Sequence, residues 1–143
     1  MEIKNYQQLD LKRVTKTVDI IIPAQTAKLG PPVGPVLGQV KIKVKDFCTM
    51  FNDSTTCFKM GLPLPVTVFV YKNETFSFLI KTPVVSFLLK NKVLRSSEDT
   101  LTLLDLYKIS CIKSKDLAHL DTRVIFKNVL MTAKNLKIKI LHK

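Results

Sequence analysis

Residues 28–39, KLGPPVGPVLGQ, place glycines at 30, 34 and 38, four apart, where a phosphate-cradling loop has them five apart. Such a loop also needs a lysine and a Ser or Thr behind its last glycine, and Gln39 and Val40 stand there instead. Pro32 and Pro35 have the spacing of a ligand for an SH3-like groove. The interleaved glycines and an adjoining helix favour a fixed corner, because proline restricts φ while glycine permits close backbone approach. Other reactive side chains are sparse. His119 and His142 are the only histidines, and neither lies in a catalytic motif. Cys48, Cys57 and Cys111 contain no Cys-x-x-Cys pair, too few and too scattered for a zinc site or a disulfide scaffold. They are expected to be buried, reduced thiols in a reducing compartment. No enzymatic activity, cofactor or metal is expected.

A second group of residues could do a different chemistry, the binding of a polyanion. The chain of 143 residues carries 23 Lys+Arg against 11 Asp+Glu, a net charge of +12, which attracts nucleic acid first and anionic membranes second. The excess is uneven: residues 1–80 hold +4 and residues 81–143 hold +8, so the C-terminal half is the one expected to face the polyanion. Apolar runs such as III at 20–22 and FLL at 87–89 fall far short of the ~20 residues that span a bilayer, so no membrane partner is expected. The first residues lack both an apolar signal core and an Arg-rich, acid-poor transit pattern. Lysine dominates arginine, and Ile, Asn and Phe are plentiful, which suggests an AT-rich genome.

The elements that must position these residues follow from periodicity. TVDIIIP (17–23) is β-branched and ends in proline, which predicts a strand running into a turn. In IKVKDFCTMFN (42–52), Val44, Phe47, Cys48 and Phe51 fall at i, i+3, i+4 and i+7, one buried helix face. PVTVFVY (65–71) and ETFSFLI (74–80) predict a hairpin about Lys72-Asn73. Beyond residue 80, helix starts take over. Thr82-Pro83 reads as an N-cap followed by proline at the first helical position, opening VVSFLLKNK. Thr102 opens a second helix, LLDLYKISCIK. Asp121 or Thr122 opens a third, in which Phe126, Val129, Leu130 and Ala133 form an apolar stripe. The expectation is an N-terminal extension (1–16), an α+β domain with a small β-sheet packed with helices (17–80) and an all-α three-helix domain (81–143).

Opposite that stripe the third helix carries Lys127, Asn128, Met131, Thr132, Lys134 and Asn135 on one face. Lysines neutralise phosphates, and Thr and Asn hydrogen-bond sugar hydroxyls and base edges. A solvated face that merely keeps the helix soluble is the plain alternative. Against it stand the basic surroundings and the absence of any acid after Asp121 in that helix. Lys90, Lys92 and Arg95 at the end of the first helix supply further cations, or simply complement its dipole. Three helices with a polar third one also describe a homeodomain-like DNA-binding module, but such a helix usually reads guanines with several arginines and this one has Arg123 alone.

Four motifs in order, PPVGPVLGQ (31–39), KDFCTMFN (45–52), FSFLIKTPVVSFLLK (76–90) and TAKN (132–135), resemble the large-subunit ribosomal protein eleven family over residues 17–138. That family sits at the stalk base, in the GTPase-associated centre. The resemblance implies a structural constituent of the large subunit whose C-terminal domain binds folded rRNA, with its third helix in a minor groove. The N-terminal domain would face rRNA and elongation factor GTPases, with stalk ribosomal proteins as neighbours and no homo-oligomer. It implies RNA-binding roles for Lys81, Thr82, Pro83, Ser86, Lys90 and Lys92, and for the third-helix set Lys127, Asn128, Met131, Thr132, Lys134 and Asn135. It also implies a factor and antibiotic cleft at Pro23, Leu29, Gly30, Pro31 and Pro32. Departures are equally visible. Met131 and Lys137 stand where the family has glycines, and Leu29 stands where it has a proline, which implies weaker binding of thiazole-peptide antibiotics. The loop VLRSSEDT is reduced and lacks glycine. Residues 1–16 extend beyond the usual family start, to lie on RNA or a neighbour or to form a tail. The mitochondrion is the expected compartment, with a bacterial cytoplasm or a plastid as alternatives.

Overall fold

The computed structural model describes residues 14–72, 75–96 and 100–141. The chain divides into two compact units, Met1–Lys81 and Thr82–Lys143.

The first unit contains β1 (Val14–Pro23), α1 (Val33–Gly38), α2 (Val44–Ser54), β2 (Pro63–Tyr71) and β3 (Phe76–Ile80). The strands form an antiparallel sheet in the order β1-β2-β3, with Val18 opposite Val68 and Val68 opposite Phe78. Alternation decides what the sheet buries. Ile20 and Ile22 face the helices while Ile21 between them is exposed, and on β2 Val66, Val68 and Val70 join the same core. α2 closes that core with the expected stripe: Phe47, Cys48 and Phe51 are buried and Val44 packs against them. Phe47 lies 5.9 Å from Phe51, 5.9 Å from Phe76 and 5.5 Å from Phe78, so four rings form one cluster between helix and sheet.

Several sequence expectations are corrected here. Residues 14–16, placed in the N-terminal extension, belong to β1; the rest of the extension lies outside the described residues. The third strand begins at Phe76, and Asn73 and Glu74 of the expected hairpin lie outside the described residues. The corner at 31–39 contains a short helix, α1, entered through a cis peptide between Pro31 and Pro32. Pro35 is tolerated there because it falls in the first turn, where an N–H has no partner to lose. Of the three cysteines, all free, only Cys48 is buried; Cys57 is exposed in the turn that follows α2, and Cys111 is exposed because it falls outside the apolar stripe of its helix. Burial pushes the Cys48 thiol up from its ordinary value.

The second unit contains α3 (Val85–Val93), β4 (Thr100–Thr102), α4 (Leu103–Ser114), α5 (Thr122–Asn135) and β5 (Lys139–Leu141). Leu89, Leu101, Leu106, Ile109, Val129 and Ala133 are its buried centre, with Phe126 and Leu130 packed against it. Thr102 caps α4 through a capping box: its hydroxyl accepts the Asp105 N–H at 3.2 Å, and the Asp105 carboxylate accepts the Thr102 N–H at 3.4 Å. Burial raises the Asp105 pKa, but the Thr102 and Lys92 hydrogen bonds outweigh it and hold the carboxyl below the usual range. The stabilisation linked to that lowered value is full above the ordinary aspartate range and is lost as pH falls through the folded-state value. Asp121 caps α5, its carboxylate accepting the Arg123 N–H at 3.4 Å.

The expected start of the first helix is wrong by two residues. α3 begins at Val85 with Val84 as its N-cap and no side-chain cap. Thr82 lies outside the helix, its N–H and its hydroxyl both donating to the Asp116 carboxylate, 34 residues away. Lys113 completes this lock, its ammonium reaching Asp116 at 3.1 Å and the Thr82 carbonyl at 3.2 Å.

A parallel two-stranded ladder, β4 with β5, joins the helices. It depends on how α5 ends. Lys137 N–H bonds the Lys134 carbonyl at 2.9 Å and Ile138 N–H bonds the Ala133 carbonyl at 3.1 Å, the hydrogen-bond pattern of a Schellman motif. Lys137 sits at its left-handed position with φ 56°, a conformation that favours glycine. Replacing Lys137 by glycine is expected to raise stability by roughly 0.5–1 kcal/mol. The check is the urea midpoint, and an unchanged or lowered midpoint would refute it.

Candidate nucleic-acid interface

α5 is 14 residues long, which makes it about 21 Å of helix. Ile125, Val129 and Ala133 are buried, so the opposite side is turned to solvent. Lys127, Asn128, Met131, Lys134 and Asn135 are all exposed and share that side. Thr132 is half-buried and donates its hydroxyl to the Asn128 carbonyl at 2.8 Å, leaving its lone pairs free to accept. Lys127 and Lys134 are two turns apart, about 10 Å along the axis. Neither makes an ion pair among the described residues. Between these cations stands Met131, half exposed, and Val124 extends the same line with 46% of its surface exposed. Val124 was missed by sequence reasoning, although it lies seven residues before Met131, at the spacing that marks one helix face.

This surface is a convex helix face with a cation at mid-helix and another in the last turn, amides and a hydroxyl beside them, and Met131 between them. It suits a wide, shallow groove such as the minor groove of A-form RNA, where apolar atoms lie against sugars and lysines reach phosphates.

The other expected RNA-binding residues are less uniform. Lys90 is exposed in the last turn of α3 and unpaired among the described residues. Lys92 is held by Asp105 at 3.2 Å, and Thr82 is engaged by Asp116. Pro83 is buried and Ser86 half-buried. In the first unit, Lys81 lies 3.8 Å from the Asp19 carboxylate. Of the reduced loop VLRSSEDT, Ser97, Glu98 and Asp99 lie outside the described residues.

The residues of the expected cleft also belong to the first unit. Pro23 ends β1, half-buried opposite Pro63, while Leu29, Gly30, Pro31 and Pro32 are exposed. The loop carrying them is pinned to the end of α2. Asn52 accepts the Ala27 N–H at 3.0 Å and donates to the Ala27 carbonyl at 3.2 Å. The Gln25 side-chain amide donates to the Phe58 carbonyl at 2.6 Å and to the Thr56 carbonyl at 3.2 Å. Gly34 tightens the other side, since a Cβ there would stand 2.3 Å from the Leu29 carbonyl oxygen. Glycine is therefore required at 34 for α1 to begin where it does.

Comparison with known proteins agrees with this architecture. Residues 18–76 match the family profile of ribosomal protein L11, N-terminal domain. The chain is 36% identical over 138 residues to the large ribosomal subunit protein uL11 of Hydrogenobaculum, an alignment covering 90% of this chain and 95% of that protein. It is 35% identical over 139 residues to uL11 of Rickettsia akari and 34% identical over 139 residues to uL11 of Rickettsia felis, each covering 90% of this chain and 96% of the relative. With its sheet-and-helix first unit, its helical second unit and near-full-length identity of this size, the chain belongs to the ribosomal protein L11 family of large-subunit constituents, and to its bacterial type.

Proposed function

We propose that this protein binds the folded rRNA of the GTPase-associated centre at the stalk base through the outward face of α5, as a structural part of the large subunit and not as an enzyme. The observation that carries this is the α5 surface itself: Lys127 at its middle and Lys134 in its last turn, both unpaired among the described residues, Asn128, Thr132 and Asn135 beside them, and no acid between Thr122 and Asn135. The pinned loop at Leu29–Pro32 supplies a pre-ordered edge in the N-terminal unit, suited to elongation factor GTPases and stalk proteins, because little ordering entropy is lost when a rigid loop is bound.

Bacterial-type relatives together with a lysine-rich, AT-biased composition support a place in the mitochondrial ribosome. Peptide mass analysis of purified mitochondrial large subunits checks it, and absence from them would refute it.

The test of the RNA site is binding to a transcribed stalk-base fragment of large-subunit rRNA from Rickettsia akari. Lys134→Ala is expected to weaken binding several-fold and to flatten the salt dependence by about one counterion. Thr132→Ala is expected to weaken it by less, with the salt slope unchanged. Wild-type affinity in both variants would remove α5 from the interface. Duplex DNA at the same salt is expected to bind more weakly than the fragment.

A further inference from the structure

Near their first turns α4 and α5 border an open, shallow hollow of about 470 Å³, lined by Leu103, Leu104, Tyr107, Thr122, Arg123 and Phe126. The RNA-binding face of α5 does not account for it. Leu104 is 58% exposed and Tyr107 51% exposed, both on α4, where a soluble helix would normally carry charge. An apolar concavity of this kind marks an interaction site.

The chemistry of the rim says what would fill it. Arg123 is part of the lining, Lys127 follows it one turn later on α5, and Lys108 adjoins Tyr107; all three are exposed and none pairs with a carboxylate among the described residues. The acid nearest in sequence, Asp121, has its carboxylate directed to the Arg123 N–H as the cap of α5. The occupant must therefore combine a flat apolar body with an anionic appendage. A wholly apolar protein helix would strip water from Arg123 and give it no partner.

We infer that the hollow receives one unstacked nucleobase of the bound RNA. The base lies against Tyr107 and Phe126, and its phosphate lies on Arg123 and Lys127. Single-stranded loops and bulges offer such bases, and aromatic rings with a neighbouring guanidinium are how proteins hold them. Arg123 and Lys127 are four residues apart, so the hollow opens beside the polar face of α5 and both can be engaged by one RNA. The inference rests on the RNA-binding reading and adds a second kind of contact to it, stacking rather than phosphate neutralisation.

The experiment uses the full chain and the same Rickettsia akari fragment. Tyr107→Ser is expected to weaken binding about tenfold, the usual scale of one lost base stack, while Tyr107→Phe keeps the ring and keeps the affinity. The salt slope is expected to stay at the wild-type value in both, because no cation is removed. Saturation-transfer NMR on the protein with adenosine monophosphate is expected to mark the base protons, with the signal lost in Tyr107→Ser. Wild-type binding of the fragment with undiminished affinity in Tyr107→Ser would overturn the base pocket and leave the α5 interface standing, as would a weakened Tyr107→Ser that Tyr107→Phe fails to avoid. Failure of the wild-type chain to bind the fragment at all would overturn the RNA-binding reading, and the base pocket with it.

Discussion

Asp116→Ala is expected to lower the stability of the C-terminal unit by about 3 kcal/mol. The carboxylate accepts three hydrogen bonds: from the Thr82 N–H at 2.9 Å, from the Thr82 hydroxyl, and from the Lys113 ammonium at 3.1 Å. The ion pair is well shielded, with 15% of the Lys113 side chain and 16% of Asp116 exposed. Removing one member leaves a backbone N–H without its partner and a mostly buried ammonium without its counter-ion, and those orphans account for most of the loss. Asp116→Asn keeps an acceptor for Thr82 but removes the charge, so its loss should be smaller. Urea unfolding followed by helical circular dichroism measures both. A wild-type midpoint in Asp116→Ala would show that water replaces the carboxylate at no cost, contrary to this account.

Phe47→Ala should cost more, about 3–5 kcal/mol. Phe47 is fully buried and is the ring that Phe51, Phe76 and Phe78 share, so its removal opens a cavity that three neighbours line. Sheet and helix hold these neighbours in place, which limits how far the site can collapse around the gap. Phe47→Leu retains most of the volume and is expected to lose much less. Hydrogen exchange of the β2 amides reads the effect locally. Protection in Phe47→Ala equal to wild type would mean that the ring cluster does not hold helix and sheet together.

What the sequence made legible was whatever depends on near neighbours. The stripe at Val44, Phe47, Cys48 and Phe51 predicted α2, and the β-branched runs predicted β1 and β2. Thr102 marked the start of α4, and the structure completes the cap with Asp105. The misreadings share a different cause. Thr82-Pro83 has the local form of a helix start, but a carboxylate 34 residues downstream captures both of the Thr82 donors, and tertiary bonding overrides propensity. α1 hid behind its prolines and glycines, since its short length and the pressure of Gly34 on Leu29 depend on the fold of the preceding loop. The hollow at Tyr107 was invisible for a similar reason: Leu104 and Tyr107 read as ordinary apolar helix residues until burial shows which way they face.

The loop at Leu29–Pro32 has little freedom to flex by itself. Gln25 and Asn52 tie its base to the last turn of α2 and to the chain just beyond it, and Gly34 presses its far side against the start of α1. The other face of α2 carries Phe47 and Phe51, seated on the sheet. A partner that pushes on Leu29–Pro32 therefore acts on a lever with a short, stiff arm. The arm is the set of bonds at Gln25 and Asn52, and the bearing is the ring cluster of Phe47, Phe51 and Phe78.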